Sequence, residues 1–208
     1  MNIHQLKSTL MKALQQPLPG LDAQLKMAPS SRPLKPSPKG EKPRESAVLL
    51  LISEINKIWS ITFIQRPIYE GVHSDQIAFP GGKKELTDTN LLQTAQRETE
   101  EEIGVTEDQY EILGALTPLY IPPSNFYVNP YIAISHSELT FVLDEREVAS
   151  LIQIPIKDII SSEIKKEQLI RLSSGNQLTT NTYFMNGKTI WGATAMILSE
   201  FEALLSFS

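Results

Sequence analysis

The feature that most constrains this chain is a group of four glutamates within the five residues from Glu98 to Glu102. On a helix with about 3.6 residues per turn, Glu98, Glu101 and Glu102 share one face, whereas Glu100 points about 100° away from Glu101. Carboxylates on one face repel each other unless a cation lies between them or water solvates them. Carboxylate oxygens suit Mg²⁺ or Mn²⁺ better than zinc. The group alone therefore fits two hypotheses, a divalent-metal site and a solvated acidic helix face.

The residues that flank the glutamates predict the limits of their helix. Asp88 or Thr89 is a candidate N-cap for a helix over 90–103. Gly104 stands where a helix commonly ends on a left-handed glycine. The glutamates then belong to the C-terminal half of this helix.

Composition and charge narrow the class of protein. With 208 residues, 41% of them hydrophobic and 21% charged, the chain fits one ordinary globular domain with appendages. The net charge of −5 offers no basic footprint for nucleic acid, and no apolar run approaches the roughly 18 residues of a membrane span. There is no cysteine, and Lys7 and Lys12 interrupt any signal-peptide core. We therefore expect a cytoplasmic protein that binds neither nucleic acid nor membrane.

The N-terminal part differs in composition from the rest. Apolar residues recur at helical spacing over 1–16, and Pro17 and Pro19 end that pattern. Residues 17–45 are rich in proline and predict an irregular, extended connector. We therefore predict an N-terminal helix with a proline-rich connector over 1–45, and one domain over 46–208. The helix is expected to be a packed appendage or a contact in a homodimer.

The rest of the chain alternates strands and helices. Apolar or alternating patterns predict strands over 47–52, 59–66, 110–122 and 126–135, a hairpin with Asn186-Gly187 at its tip, a short helix or turn within 146–160, and a final amphipathic helix over 193–207. This order is typical of an α+β fold in which helices sandwich a mixed β-sheet.

The stretch over 81–105 resembles the signature box of the Nudix hydrolases. That box has Gly, five residues, Glu, seven residues and then Arg-Glu-apolar-x-Glu-Glu-x-Gly-apolar. Residues 97–105 match its second half at every charged and glycine position, with Thr99 in place of the apolar residue. In the first half, Asp88 replaces the glutamate and is followed by one additional residue, and Glu85 competes for that place.

The resemblance implies a fold, a cofactor and a set of roles. It implies a Nudix α/β/α sandwich that hydrolyses nucleoside diphosphate derivatives and uses Mg²⁺ or Mn²⁺. It assigns metal binding to Glu98, Glu101, Glu102 and the carbonyl of Gly82, and it makes Arg97 a residue that orients acidic neighbours. Glu98, Glu101 and Arg97 are therefore catalytic candidates, and Glu101→Gln is expected to abolish turnover and weaken metal binding.

A further glutamate is expected outside the box. Nudix enzymes often supply one from a distal loop as a base or a metal ligand, and Glu147 is our candidate. A helix-capping charge is the alternative for this residue. The general base is then either one of the box glutamates or Glu147.

The segment upstream of the box resembles the coenzyme A diphosphatase branch of the family. The spacing matches without a gap over 66–82, and 190–198 resembles a segment that this branch often carries. Gly71 replaces a basic residue of the branch. The other departures from the branch pattern are Ile64, Pro67 and Asp75.

The branch resemblance assigns substrate contacts to three residues, Arg66, His73 and Phe79. Arg66 could bind phosphate or pair with a carboxylate, and His73 could be a plain loop residue. Trp191, in the C-terminal matching segment, could belong to the core. These alternatives are open at the level of the sequence.

The resemblance as a whole implies a metal-dependent hydrolase that splits coenzyme A or its derivatives into 3′,5′-ADP and 4′-phosphopantetheine. Its expected partner is a small nucleotide-diphosphate substrate. The first alternative is a Nudix diphosphatase for ADP-ribose, NADH or a nucleotide sugar. The second is a catalytically inactive Nudix module that senses a nucleotide.

Overall fold

The computed structural model describes residues 3–29, 33, 35–37, 40–68, 75–172 and 175–206. His73 and Gly71 therefore lie outside the described residues. The helices are α1 (Ile3–Leu14), α2 (Gly20–Gln24), α3 (Leu91–Ile103), α4 (Ile156–Ile159) and α5 (Gly192–Leu205). The strands are β1 (Arg44–Ile55), β2 (Ile58–Gln65), β3 (Ile77–Ala78), β4 (Gly81–Lys83), β5 (Tyr110–Ala115), β6 (Leu119–Ile121), β7 (Phe126–Ser135), β8 (Ser150–Pro155), β9 (Lys165–Arg171), β10 (Gln177–Met185) and β11 (Lys188–Ile190).

A mixed sheet forms the centre of the molecule. Its main path is β3-β2-β1-β7-β5, while β4 pairs with β1, β6 with β7 and β8 with β2. The pairing of β1 with β7 is parallel, whereas the other pairings in this sheet are antiparallel. Strands β9, β10 and β11 form a second, antiparallel sheet.

The main sheet is buried on both faces, which confirms the predicted sandwich. On β1, Leu50 and Ile52 belong to the core that includes residues of α1 and α5, whereas Leu49 and Leu51 belong to the core on the α3 side. A strand that points alternate side chains into two cores reads as a continuous apolar run rather than as an alternating one. This is why the sequence of β1 is apolar throughout its centre.

The hairpin predicted at Asn186-Gly187 is confirmed, and β1 and β2 form a second hairpin. Ile55 pairs with Ile58 across a turn in which Asn56 and Lys57 have positive φ, and Met185 pairs with Lys188 across Asn186-Gly187. Positive φ at both central residues defines the type I′ turn, whose twist matches that of the flanking strands.

Helix α3 ends where the sequence predicts but begins on a different cap. Gly104 adopts the left-handed conformation with φ of 71°, as expected. The N-cap is Asn90, whose side chain accepts a hydrogen bond from the Gln93 backbone N–H, so the prediction of Asp88 or Thr89 is wrong. Asp88 is committed instead to other partners in the loop before the helix.

The N-terminal part is more ordered than the connector prediction allowed. Helix α1 is confirmed, and Leu6 and Leu10 are fully buried in the main core. The prediction of an extended connector is wrong over α2, which packs close to α5. Glu200 of α5 is fully buried and accepts hydrogen bonds from the Gly20 N–H and from the side chain of Gln24. The boundary between residues 45 and 46 stays a prediction.

The short helix or turn predicted within 146–160 contains a strand. Strand β8 pairs with β2 along six positions and only then passes into the single turn of α4. Within the described part of the chain, no helix has the length and apolar character needed to cross a membrane.

Candidate functional site

Three carboxylates meet at one end of a cleft. Glu98 and Glu102 lie one turn apart on α3, and Glu147 lies in the turn that precedes β8. One ligand oxygen from each side chain lies within 4.8 Å of the other two. This geometry joins two glutamates of the helix with the distal glutamate predicted from the sequence. We call these three residues the carboxylate group.

Glu102 is the most buried member of the carboxylate group. Its side chain is 1% exposed, accepts a hydrogen bond of 2.8 Å from the Gly81 backbone N–H and lies 3.9 Å from the Arg66 guanidinium. Burial raises the pKa of Glu102 to about 8, because the charged form loses water. Burial likewise raises the pKa of Glu98, against the opposing effect of Arg97. Such carboxylates gain strongly from a cation that replaces the lost solvation.

Arg97 connects the helix to the loop before it. Its Nε and Nη2 donate to the two oxygens of Asp88, each at 3.0 Å, and Nη1 contacts Glu98 at 3.0 Å and Glu101 at 2.9 Å. Nη2 also donates to the Lys83 carbonyl at 3.2 Å. The guanidinium therefore fixes one oxygen of Glu98, as expected for an orienting residue.

Asp88 rather than Glu85 pairs with Arg97. The Asp88 side chain is 2% exposed and also accepts hydrogen bonds from the Thr94 hydroxyl and the Glu85 backbone N–H. The hydrogen bond from Arg97 is the largest cause that lowers the pKa of Asp88 far below its ordinary value. The side chain of Glu85 is exposed. Asp88 therefore takes the position next to Arg97 for which Glu85 was the competing candidate.

Gly82 lies against Glu98. A Cβ atom at Gly82 would meet the Glu98 carboxylate oxygen at 2.3 Å, so a side chain at this position would displace the glutamate. The strand that carries Gly82 also brings Gly81 to Glu102. The two glycines therefore lie against both helix members of the carboxylate group.

Glu101 takes a different position from its neighbours. Its side chain is 57% exposed, pairs with Arg97 and is not a member of the carboxylate group. Glu100 is exposed as well. The metal and catalytic roles predicted for Glu101 stay predictions.

The cleft that contains the carboxylate group has a volume of about 820 Å³. Arg66 and Phe79, two of the predicted substrate contacts, line it, and the Arg66 guanidinium donates to the Gly81 carbonyl at 3.4 Å. Trp191 lines the cleft too and is half-buried, so it is not a plain core residue. The third predicted contact, His73, lies outside the described residues.

Comparison with known proteins agrees with this geometry. The NUDIX domain model matches residues 42–171, which is more than half of the chain. The chain belongs to the Nudix family. Nudix hydrolases generally use divalent metal ions, and the oxygen-only carboxylate group in a partly buried cleft fits such an ion.

Individual proteins that are similar to this chain in sequence or in structure also belong to the Nudix family. An uncharacterized Nudix hydrolase, NudL of Yersinia pestis, is 33% identical over 134 residues, which cover 64% of this chain and 66% of that protein. The match thus spans just under two thirds of that relative. RenU of M. smegmatis has a TM-score of 0.53 at 15% identity, covering 79% of this chain and 86% of that chain. A MutT protein of Methanosarcina mazei has a TM-score of 0.53 at 16% identity, covering 82% and 100%. These two structures show the Nudix fold alone.

The sequence left one part of the cleft unassigned. Its walls beyond the carboxylate group include Pro29 of the connector and Leu178 of β10, neither of which belongs to a motif. Their positions depend on how the termini pack around the central sheet. The one available signal was Trp191, which was weighed as a core residue.

Proposed function

We propose that this chain is a divalent-metal-dependent hydrolase of nucleoside diphosphate derivatives. The observation that carries this proposal is the carboxylate group, whose three oxygens lie within 4.8 Å of one another in a cleft that also presents Arg66. In this proposal Glu98, Glu102 and Glu147 hold Mg²⁺ or Mn²⁺, together with the Gly82 carbonyl. The bound metal supplies charge neutralisation of the diphosphate and a lower pKa for the attacking water.

Other side chains of the cleft position the metal ligands, bind the substrate phosphate and accept a proton. Arg97 holds Glu98 in place and is itself held by Asp88, so the position of the carboxylate does not depend on the substrate. Arg66 has an ionic partner in Glu102 at 3.9 Å, and its half-buried guanidinium is placed to meet a phosphate oxygen entering the cleft. Glu147 is the exposed member of the group, and as the alternative to holding the metal it is the candidate to accept the proton of the attacking water.

Glu101 is proposed to act beside this group. It shares the Arg97 guanidinium with Glu98, because Nη1 contacts both carboxylates. Loss of its charge would shift Arg97 towards Glu98 and alter the orientation of that ligand. Direct binding of a metal ion by Glu101, as the family resemblance implies, is the alternative to this proposal.

For the substrate we propose coenzyme A or its acyl derivatives, cleaved to 3′,5′-ADP and a 4′-phosphopantetheine product. The segments over 66–82 and 190–198 support this choice, because both resemble the coenzyme A diphosphatase branch and each supplies described residues to the lining of the same cleft. The cleft volume of about 820 Å³ lies near the upper end of the range for small-molecule binding sites, so the cleft has room for a nucleotide derivative.

One observation favours a different diphosphate substrate. Asp75 replaces a glycine of the branch pattern, has φ of 58° and accepts a hydrogen bond from Gln65, the neighbour of Arg66. Asp75 thus adds a negative charge where the branch pattern has an uncharged glycine, which does not favour a substrate with an additional phosphate. ADP-ribose, NADH or a nucleotide sugar is therefore the second candidate.

The test is product analysis by chromatography after incubation with Mg²⁺ or Mn²⁺ and a panel of coenzyme A, acetyl-CoA, ADP-ribose, NADH and a nucleotide sugar. Release of 3′,5′-ADP from coenzyme A, faster than turnover of the others, is the expected result. Preference for ADP-ribose or NADH would overturn the substrate and keep the hydrolase. Glu102→Gln is the matched control, and full activity of this variant at low metal concentration would contradict the role of Glu102 in holding the metal.

The absence of turnover on the whole panel would favour a nucleotide-sensing module instead. Calorimetric binding of the same compounds distinguishes that outcome from a protein that recognises none of them. We also propose a homodimer as the assembly to be checked, by sedimentation or light scattering of the full chain.

A further inference from the structure

The loop that carries Glu147 lies across the C-terminal end of α3. The Val142 N–H donates to the Ile103 carbonyl at 3.0 Å, and the Asp144 N–H donates to the Glu102 carbonyl at 3.1 Å. The last carbonyls of a helix have no partner within the helix, so these two bonds use groups that the helix itself leaves open. The loop is therefore attached to the same turn of α3 that presents Glu102.

Gly104 allows the loop to approach the helix this closely. A Cβ atom at Gly104 would meet the Val142 Cβ at 2.8 Å and the Val142 carbonyl oxygen at 2.9 Å. The glycine also ends α3 in the left-handed conformation, with φ of 71°. One residue without a side chain thus serves both the end of the helix and the attachment of the loop.

Asp144 connects the backbone of Glu102 to the backbone of Glu147. The Asp144 carbonyl accepts hydrogen bonds from the Glu147 N–H at 3.0 Å and from the Val148 N–H at 2.9 Å, while its own N–H is bound to Glu102. The path between these two members of the carboxylate group therefore passes through two backbone hydrogen bonds and a single residue.

The side chain of Asp144 closes the turn that leads to Glu147. Its Oδ1 accepts a hydrogen bond of 2.9 Å from the Arg146 backbone N–H, two residues later, which is the Asx-turn that Asp and Asn form. The Arg146 guanidinium donates to both oxygens as well, at 3.0 and 2.6 Å, but the Arg146 side chain is 88% exposed. Because an exposed ion pair contributes little, the bond to the backbone N–H is the one expected to set the shape of the turn.

The chain that follows Glu147 is fixed as well. Val148 is buried in the core on the α3 side, and the Ala149 N–H donates to the Gln65 carbonyl of β2 at 2.8 Å. Glu147 itself is exposed, so packing around its side chain contributes little to its position. The placement of this carboxylate therefore depends on the backbone on both sides of it.

From these contacts we infer that Asp144 is a positioning residue of the site, whose backbone and side chain together hold Glu147 beside Glu102. Asp144 does not line the cleft, so it acts through Glu147 rather than on the substrate. This inference rests on the proposed function, because the role of Glu147 is proposed there.

The first test compares alanine and asparagine at position 144, with the panel compound that the parent hydrolyses fastest. Asp144→Ala removes the acceptor for the Arg146 N–H and is expected to lower kcat about 10–100-fold. Asp144→Asn keeps an acceptor for this N–H and should stay within about threefold of the parent. Equal losses in the two variants, or full activity of Asp144→Ala, would overturn the inference.

Glu145→Ala is the matched control for these variants. Glu145 is the exposed neighbour of Asp144 in the same turn and does not line the cleft. Its replacement should leave kcat within about twofold of the parent. A loss as large as that of Asp144→Ala would show that any change in this turn disturbs the site, and would overturn the specific role of Asp144.

The second test asks whether Asp144 acts through Glu147. The parent, Asp144→Ala, Glu147→Gln and the double variant form a cycle in which kcat and the Mn²⁺ dissociation constant are measured. In the Glu147→Gln background, Asp144→Ala should change either quantity less than about twofold, because the carboxylate that it positions is already gone. Losses by the same factor in both backgrounds would indicate a general effect on the fold and overturn the inference. A Glu147→Gln variant that matches the parent in both quantities would overturn it too.

Calorimetric titration with Mn²⁺ separates the inference from the proposed function, since it requires no substrate. If the parent hydrolyses nothing on the panel, but Asp144→Ala weakens Mn²⁺ binding as much as Glu147→Gln does, by about tenfold, the function is overturned and the inference stands. Without that weakening, both are overturned. Hydrolysis by the parent together with an additive cycle supports the function and overturns the inference.

Discussion

Asp88 holds Arg97 by two parallel hydrogen bonds of 3.0 Å, and Arg97 in turn contacts Glu98 at 3.0 Å. This chain of contacts runs from a buried loop carboxylate to a member of the carboxylate group. Because a guanidinium is planar, the two-point contact with Asp88 fixes its orientation as well as its position. The loop before α3 therefore determines where Glu98 points.

Asp88→Asn is expected to lower kcat by about 10–100-fold, the usual effect of losing an outer-shell partner of a metal ligand. Asparagine keeps the shape of the side chain but presents an NH₂ group to Arg97, so the two-point contact is lost. Steady-state kinetics at saturating Mn²⁺ measure the change. Glu85→Gln, three residues away and exposed, is the matched control and should stay within twofold of the parent. Similar losses in the two variants would contradict the pairing.

The same substitution should change acid stability. The pKa of Asp88 is lowered in the folded protein, chiefly by the hydrogen bond from Arg97, so its stabilising effect is present above the ordinary value of 3.8 and is lost as the pH falls through the folded-state value. Asp88→Asn should therefore reduce the free energy of unfolding at pH 7, by about 1.5–3 kcal/mol. The difference from the parent should shrink below pH 4. Urea unfolding between pH 3 and pH 7 tests this, and a constant difference would contradict it.

Metal binding distinguishes the two neighbouring glutamates of α3. Glu102→Gln should weaken Mn²⁺ affinity by more than about tenfold, because Glu102 is a buried member of the carboxylate group. Glu101→Gln should lower kcat strongly with a smaller effect on metal affinity, since Glu101 is exposed and contacts Arg97. Isothermal titration with Mn²⁺ gives both affinities. Equal losses would instead place Glu101 among the metal ligands.

Gly82→Ala should remove activity with little effect on stability. The new Cβ would come within 2.3 Å of the Glu98 carboxylate, which must then leave its position. Gly82 is not among the residues with positive φ, so its backbone accepts alanine without strain. Gly40→Ala, where the nearest atom would lie at 3.4 Å, is the control and should retain full activity. Retention of activity by Gly82→Ala would show that Glu98 is free to move.

The local features of the site were predictable from the sequence because they depend on spacing. The one-turn separation of Glu98 and Glu102 and the left-handed Gly104 follow from helix geometry, and the hairpin tip follows from turn chemistry. The N-cap was missed because Asp88, a good cap by type, is held by Arg97, which leaves Asn90 to cap the helix. The ion pair with Arg97 thus outweighs the preference of Asp88 for the N-cap position.

Strand β8 and the order of the connector could not be predicted, because both depend on contacts between distant parts of the chain. Strand β8 was missed because its residues are apolar and bounded by polar stretches, a pattern that fits a strand or a buried turn until its pairing with β2 is known. The ordered connector was missed because its proline content predicts extended chain, whereas α2 is stabilised by Glu200, about 180 residues later in the sequence. Such long-range hydrogen bonds have no local signature.

Glu200 is expected to stabilise the N-terminal segment against α5. It is fully buried and accepts hydrogen bonds from the Gly20 N–H, the Gln24 side chain and the Thr117 hydroxyl, at 3.1, 2.8 and 2.7 Å. Glu200→Gln presents an NH₂ group to these donors and should lower the free energy of unfolding by about 1.5–3 kcal/mol. Urea unfolding at pH 7 measures the loss.

The exposed ion pair between Lys7 and Glu111 provides the control for this substitution. Glu111→Gln should cost less than about 1 kcal/mol, because the Glu111 side chain is 41% exposed and water solvates either form. Equal unfolding free energies for the two variants would mean that the buried carboxylate does not hold the connector.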